Sequence, residues 1–438
     1  MNVRDSDAVS ALLSAAGHVK AQSEADADIV IINSCTVREK AENKAVGKTR
    51  NMIYEKLNVG SHKIVGLMGC AVNRLKDRVF DVLPKLDFAV GPRRFGVIPH
   101  IIERLENGEK RILEISGDDE VPEGMQAHSA GGFSAFATIL LGCDNRCSYC
   151  IVPDVRGHEY SRPAKEVFAE VKSLAENGVK EIVLLGQSVL RYGRRNSVFP
   201  ADGFSSAFGF TEPFPCLLEM LSSIDGLERI RFTSGHPSGC TPQLVEAYKN
   251  LPKVCRHLHL PVQSGSNRIL KEMGRGYTRE QYLEAVGRLR EFDPEFAITT
   301  DVIVGYPGET EKDFEETRSL MEEAGFDNSF VFKYSPRPGT RSALLPDDVP
   351  TETKELRDSI LLADQDARGA KRNARLEGTL REVLAEGPSL RNAKRWSGRD
   401  SGNRIVVFEP DSAIKPGDLL KIRIDRTAPQ TLYGKIES

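Results

Sequence analysis

The sequence predicts an α/β protein in three parts: an N-terminal parallel-sheet α/β domain, a partial (β/α)6 barrel and a small C-terminal all-β domain. Through the middle of the chain, six short apolar runs alternate with amphipathic helical patterns. The last stretch breaks instead into short strand-like pieces set apart by Gly, Pro, Asp and Ser. A length of 438 residues is also more than one compact core fills.

In the first part, residues 1–115, ADIVIINSC (27–35) and HKIVGLMGC (62–70) are apolar strands that end in Cys35 and Cys70. LDFAVG (86–91) is a third candidate strand, after the helix-like NRLKDRVFDVL. If the strands are parallel, both cysteines sit on the edge where open α/β sheets place their sites. The chain opens on the helical pattern SDAVSALLSAAG without the strand that an α/β unit supplies first, so its start looks cut short. Residues 116–134, rich in Gly, Ser and polar groups, read as a linker.

The barrel, residues 135–370, has FATILLG, EIVLLGQ, RIRFTSG, HLHLPVQ, AITTDVIVG and SFVFKYSP as its strands. AKEVFAEVKSLAENG and TEKDFEETRSLMEEAG are among its helices, with Gly at their exits. Function in such barrels belongs to the loops at the strands' C-terminal ends. Residues 353–378 read as one long helix, and 371–438 as the all-β module. Inside that module SLRNAKRWSGRDSGNR sets five basic residues, Arg395 among them, and one acidic residue around the only tryptophan, Trp396. Such a strip is either an RNA surface, cations on phosphate and a ring on a base, or a solvated loop.

Composition excludes several classes. A net charge of −3 gives no global nucleic-acid signature, so an RNA surface must be local. No apolar run reaches membrane-spanning length, and the opening MNVRDSD lacks the apolar core of a signal peptide. A cytoplasmic protein is expected, with no membrane partner, and clustered cysteines there are ligands or catalysts before they are disulfides.

LGCDNRCSYC (141–150) places three of the chain's eight cysteines, Cys143, Cys147 and Cys150, within eight positions. A structural zinc would take these three with His158 as a fourth ligand. An iron–sulfur cubane on three cysteines leaves one iron open for a substrate or cofactor. Side-by-side inert thiols would oxidise. Spacing alone leaves both metals open.

The pattern Cys-x-x-x-Cys-x-aromatic-Cys resembles the signature of radical S-adenosylmethionine (radical SAM) enzymes, whose core is also a six-unit partial barrel. The segments MNVRDSD, NSCTVREKAENK, MGC, GCDNRCSYCIVPDVRGHEYSRP, HLHLPVQSGSNRILKEMGRGYTREQYL, TDVIVGYPGETEKDF and YSPRPGT are similar to the methylthiotransferases, and within them to the MiaB branch. The C-terminal module is similar to a TRAM domain. The resemblance implies addition of a methylthio group to C2 of an N6-isopentenylated adenosine next to the anticodon of tRNA. One S-adenosylmethionine would methylate a sulfur on an auxiliary cluster, and a second would yield a 5′-deoxyadenosyl radical.

It also implies roles position by position. Cys143, Cys147 and Cys150 would ligate the radical-generating 4Fe–4S cluster, with Tyr149 beside the cofactor's adenine. Gln187, Ser234, Gln263 and Asp301, each following or ending a barrel strand, are candidates for the cofactor's amino-acid and ribose ends; loop-capping polar residues are the plain alternative. Arg156 and Arg337 are candidates for substrate phosphate or cofactor carboxylate, against the alternative of a surface salt bridge. Arg395 and Trp396 are the candidates for RNA. Cys35 and Cys70 match two of the three ligands of an auxiliary 4Fe–4S cluster; the first is absent, so Met1 is expected to correspond to an internal methionine of a longer natural chain. Cys216, Cys240 and Cys255 match no family ligand and read as buried thiols. The expected partners are the tRNA anticodon stem-loop, an external electron donor such as flavodoxin and a sulfur donor, and the chain is expected to be a monomer. The alternatives are a sister-branch enzyme acting on threonylcarbamoyl-adenosine or a ribosomal-protein aspartate, and a non-catalytic RNA-binding protein with a structural zinc.

Overall fold

The structure is a computed structural model that describes every residue except 38, 61, 116, 118–120, 130, 197–203, 412 and 438. It divides into two compact units. One comprises Met1–Ala130, Leu140–Tyr160 and Arg337–Thr340; the other comprises Gly131–Ile139, Ser161–Pro336 and Arg341–Ser438.

In the first unit β1 (Ile29–Ser34), β2 (Ile64–Gly69), β3 (Phe88–Val90) and β4 (Ile112–Glu114) form one parallel sheet in that order. The strand β4 was not among those expected, because a three-residue strand shows no alternation to read. The helices of this unit used below are α1 (Asn2–Ala15), α2 (Glu39–Val59), α3 (Cys70–Leu75), α4 (Ile98–Glu106) and α5 (Val152–Arg156). Ala8 and Val9 of α1 and Ile98, Ile101 and Ile102 of α4 pack with Phe88 and Val90, while Met52 and Ile53 of α2 pack with Val65 and Leu67. With both faces covered, β2 reads as a nearly continuous buried run, as parallel strands do. Gly66 cannot carry a side chain, since a Cβ there would lie 2.1 Å from Cζ of the Phe88 ring. Of the expected linker, residues 116, 118–120 and 130 lie outside the described residues, and its middle is not a free tether. Pro122 and Met125 are buried, and the Arg4 side chain donates to the Met125 carbonyl.

The second unit carries β5 (Ser134–Thr138), β6 (Glu181–Leu185), β7 (Arg229–Phe232), β8 (His257–His259), β9 (Ala297–Val304) and β10 (Asn328–Lys333). They are parallel, as β5-β6-β7 and β8-β9-β10, with a bridge between Ile230 and Val254 joining the two sets. Between and after the strands run α6 (Ala164–Glu176), α7 (Arg279–Phe292), α8 (Glu311–Ala324) and the long α9 (Thr351–Ala374). Thr278 and Thr310 open α7 and α8 with reciprocal capping boxes. Gly325 closes α8 in the left-handed conformation, φ 59°, that glycine reaches without strain. Among the described residues no helix is long and apolar enough to cross a membrane.

The chain ends in a closed barrel of β11 (Leu380–Ser389), β12 (Asn392–Asp400), β13 (Ile405–Phe408), β14 (Leu419–Ala428) and β15 (Thr431–Ile436), in the order β11-β12-β13-β15-β14. The basic strip around Trp396 is therefore mostly strand, β12, and not a loop. This barrel is mounted on the starts of the parallel strands. Arg229 donates to the carbonyl of Arg399 at 2.6 Å and of Glu382 at 3.0 Å, and Arg231 to the carbonyl of Asp400 at 2.6 Å. Arg404 reaches Asp327 at 2.7 Å, and the Asp400 carboxylate takes Arg381 at 3.0 Å and the Arg404 backbone N–H at 2.8 Å.

Burial alone would raise the Asp400 carboxyl, but Arg404 and Arg381 hold it below its ordinary value. A lowered folded-state pKa adds stability above the unfolded carboxylate's value of about 4, and that stability is lost as pH falls through the folded value. Asp400→Asn, which takes one carboxylate from Arg404 and Arg381 but leaves them Asp327 and Glu295, should cost about 1.5–3 kcal/mol at pH 7 in urea unfolding. It should also lose less stability than the parent between pH 5 and about 3.

Candidate functional site

The first unit holds five of the singled-out cysteines. Ser34 of β1 is in register with Gly69 of β2, so the residues that follow, Cys35 and Cys70, leave adjacent strands at the same edge. Gly69, at φ 100°, makes this possible, since a Cβ there would lie 2.5 Å from the Ser34 carbonyl oxygen. The loop with Cys143, Cys147 and Cys150 begins at Gly142, φ 70°, where a Cβ would overlap the His158 carbonyl oxygen at 1.9 Å. The Cys143 N–H then donates to the Gly157 carbonyl at 3.1 Å, and the Cys150 N–H to the Cys147 carbonyl at 3.2 Å. Beyond the loop Ile151 and Val155 pack on Cys70, and Asn73 of α3 donates to the Val155 carbonyl at 3.0 Å. The three-cysteine loop and the Cys70 edge are thus one packed body. Tyr149 is half-buried within the loop, and His158, the zinc alternative's fourth ligand, has Nδ1 engaged with Asp144 at 2.7 Å.

Arg156 departs from the plain alternative of a surface arginine. It is 6% exposed, with Nε 3.2 Å from Cys70 Sγ and Nη2 3.1 Å from Asp5 and 3.2 Å from the Asn2 side chain. Burial pushes the Cys70 thiol up, and the Arg156 charge and hydrogen bond work against that rise. Sequence reasoning missed this contact. Arg337 remains available: its Nε donates to the Val37 carbonyl at 3.2 Å, two residues past Cys35, and its buried Nη2 has no partner among the described residues.

In the second unit Gln187, Ser234 and Gln263 follow β6, β7 and β8. Ser234 at φ 62° and Gln263 at φ 72° hold left-handed backbone, which costs a residue with a side chain and gathers at functional sites. The backbone joins several of these positions. Gly235 N–H donates to the His259 carbonyl at 3.0 Å, Gln263 N–H to Asp301 at 2.9 Å, and Ile303 N–H to Gln263 at 2.9 Å. Asp301 does not end its strand as expected; it lies inside β9, with its carboxylate 3.4 Å from Nε2 of His259. Gln187 Oε1 and the Ser188 hydroxyl are buried without a partner among the described residues.

The remaining candidates divide. Trp396 is half-buried against the core of the C-terminal barrel, so its ring is engaged in packing. Arg395 is 42% exposed and 3.8 Å from Glu409. Cys216, Cys240 and Cys255 are buried, and burial pushes the Cys216 thiol up to about 11 and Cys240 up to about 12.

The residues fit the groups that the motif implies to different degrees. Three cysteines without a carboxylate are a soft donor set suited to an iron–sulfur cluster, although among the described residues no three His, Cys, Asp or Glu side chains already converge on one point. The orphaned Gln187 oxygen and the two strained strand-end residues are the kind of polar fittings an amino-acid or ribose group satisfies. For an auxiliary cluster, Cys35 and Cys70 supply two sulfurs on one edge.

Comparison with known proteins finds matches along the chain. Residues 138–321 match the model of the Radical SAM superfamily, 374–436 the TRAM domain, and 1–91 a family described as Uncharacterized protein family UPF0004. The chain is 41% identical over 452 residues to the tRNA-2-methylthio-N(6)-dimethylallyladenosine synthase of Akkermansia muciniphila, covering 99% of this chain and 96% of that one. To the enzyme of the same name from Moorella thermoacetica it is 41% identical over 440 residues, covering 100% and 96%. Among solved structures, the radical S-adenosylmethionine methyltransferase TsrM from Kitasatospora setae, with cobalamin and a 4Fe–4S cluster bound, matches with a TM-score of 0.55 at 14% identity, over 78% of this chain and 67% of that one, a likeness of fold alone. By its full-length likeness to these relatives, the chain belongs to the tRNA-2-methylthio-N(6)-dimethylallyladenosine synthase family of radical SAM methylthiotransferases.

Proposed function

We propose that the chain adds a methylthio group to C2 of an N6-isopentenyladenosine beside the anticodon of tRNA. The observation that carries this reading is the packing of Ile151 and Val155, just past the three-cysteine loop, onto Cys70. A reaction that joins a radical step to sulfur transfer needs both cysteine sets held together. When bound, S-adenosylmethionine and its cluster supply the radical that an aromatic C2–H, inert to acid–base chemistry, demands. In this reading Cys143, Cys147 and Cys150 hold that cluster and leave one iron open, and Tyr149 flanks the adenine. Gln187, Ser234 and Gln263 orient the cofactor's amino-acid and ribose groups. Cys35 and Cys70 are ligands of a second, auxiliary cluster. Arg156 stiffens that site through its N–H to the Cys70 sulfur, as partners of metal ligands commonly do. Arg337, with a donor to spare, meets substrate phosphate. Reductant and sulfur come from outside the chain, which acts as a cytoplasmic monomer. The names of the relatives favour this substrate over those of the sister branches.

Iron and acid-labile sulfide after anaerobic reconstitution test the metal assignments. Two cubanes give about eight irons per chain, and the Cys143/Cys147/Cys150→Ala variant should keep about four while losing reductive cleavage of S-adenosylmethionine. About four irons in the parent and almost none in the variant would remove the auxiliary cluster from the proposal.

For RNA the half-buried Trp396 is a poor reporter, because its loss would loosen the barrel core. Lys394→Glu with Arg395→Glu should instead weaken binding of the anticodon stem-loop at all sequences and flatten the salt dependence by about two phosphate contacts. An unchanged salt slope would take this strand out of the RNA surface.

A further inference from the structure

We propose that Phe330, His259 and Asp301 form the recognition site for the target purine, an inference that rests on the function proposed above. The parallel register pairs His259 with Thr299 and Asp301 with Phe330, so all four side chains stand on one face of β8, β9 and β10. Their neighbours Leu258, Ile298 and Val302 point the other way and are fully buried. The first face is partly open, with the His259 side chain 15% and Asp301 27% exposed, where the second is sealed. On it Phe330 is 48% exposed, although it lies inside a strand. A lone exposed phenylalanine needs no explanation, but this one has company. The His259 ring stands edge-on to it with centroids 6.0 Å apart, and that ring is held by Thr299 Oγ1 at 3.0 Å and Asp301 Oδ2 at 3.4 Å.

An alkylated adenine offers a π face, an apolar N6 tail, one remaining N6–H and acceptor ring nitrogens. Phe330 supplies a surface for the π face and the tail. Asp301 can accept the N6–H, and His259 can meet a ring nitrogen; unpaired bases are read in this way, by stacking plus edge contacts. The place also suits the chemistry, because the Asp301 carbonyl accepts the N–H of Gln263, a residue assigned above to the cofactor. In this assignment Asp301 contacts the substrate base and not the cofactor.

The test is affinity of the anaerobically reconstituted full chain, saturated with S-adenosylmethionine, for two anticodon stem-loop RNAs that differ only in carrying N6-isopentenyladenosine or adenosine at the target position. Phe330→Ala should weaken binding of the isopentenylated RNA about tenfold and shrink the preference for it, Phe330→Trp should restore both, and His259→Ala should lower affinity for both RNAs. If Phe330→Ala does not fold, Phe330→Leu, which keeps apolar bulk without a ring, should show the same loss. Parent-like affinity and preference in folded Phe330→Ala, or Phe330→Leu in its place, and in His259→Ala would overturn the inference while leaving the proposed function standing. A parent that binds both RNAs without preference would overturn this base site together with the isopentenyladenosine reading.

Discussion

One buried cation organises the unit that carries the motif cysteines. Arg156 sits at the end of the short helix that follows the three-cysteine loop, and its guanidinium reaches Asn2 and Asp5 of α1 and the sulfur of Cys70. Its own carbonyl is held by Nε of Arg93 at 2.7 Å. An unpaired guanidinium in such a place would be prohibitive, and Asp5 supplies the compensating charge. Four segments far apart in sequence are thereby tied together at one buried guanidinium beside Cys70.

The parallel strands of the other unit show a second constraint, the division of labour between the faces of a sheet. One face of β8, β9 and β10 is sealed by Leu258, Ile298 and Val302 and contributes stability, at roughly 25 cal/mol for each Å² of apolar surface removed from water. The other carries the partly buried His259 and Asp301 and the exposed Phe330. The left-handed backbone at Ser234 and Gln263 lies just past the strands and is sustained by the rigid sheet beneath. Sealed and open positions occupy alternate residues of the same strands.

What the sequence revealed follows the range of the interactions concerned. The cysteine triplet, the strands before Cys35 and Cys70 and the alternation of strand and helix are local patterns, and each was legible. β4 was too short to carry a period, and the strand around Trp396 was masked by the turn-forming Ser, Gly, Asp and Asn residues that surround it. Arg156 was misjudged because its partners lie 86 and 151 positions away, beyond any local pattern. His259 and Phe330 gave no signal of their own, because they become neighbours only through Asp301 and the strand register.

The C-terminal barrel is fastened in a way that bears on its evolution. Arg229 and Arg231 grip carbonyl oxygens of Glu382, Arg399 and Asp400, which are backbone atoms that every amino acid provides. These contacts read the path of the main chain, while the Arg404–Asp327 and Arg381–Glu295 pairs add side-chain contacts to the joint. Residues such as Lys394 and Arg395 take no part in these contacts and can change while the domain stays seated. The outward face of the domain and its attachment can vary separately.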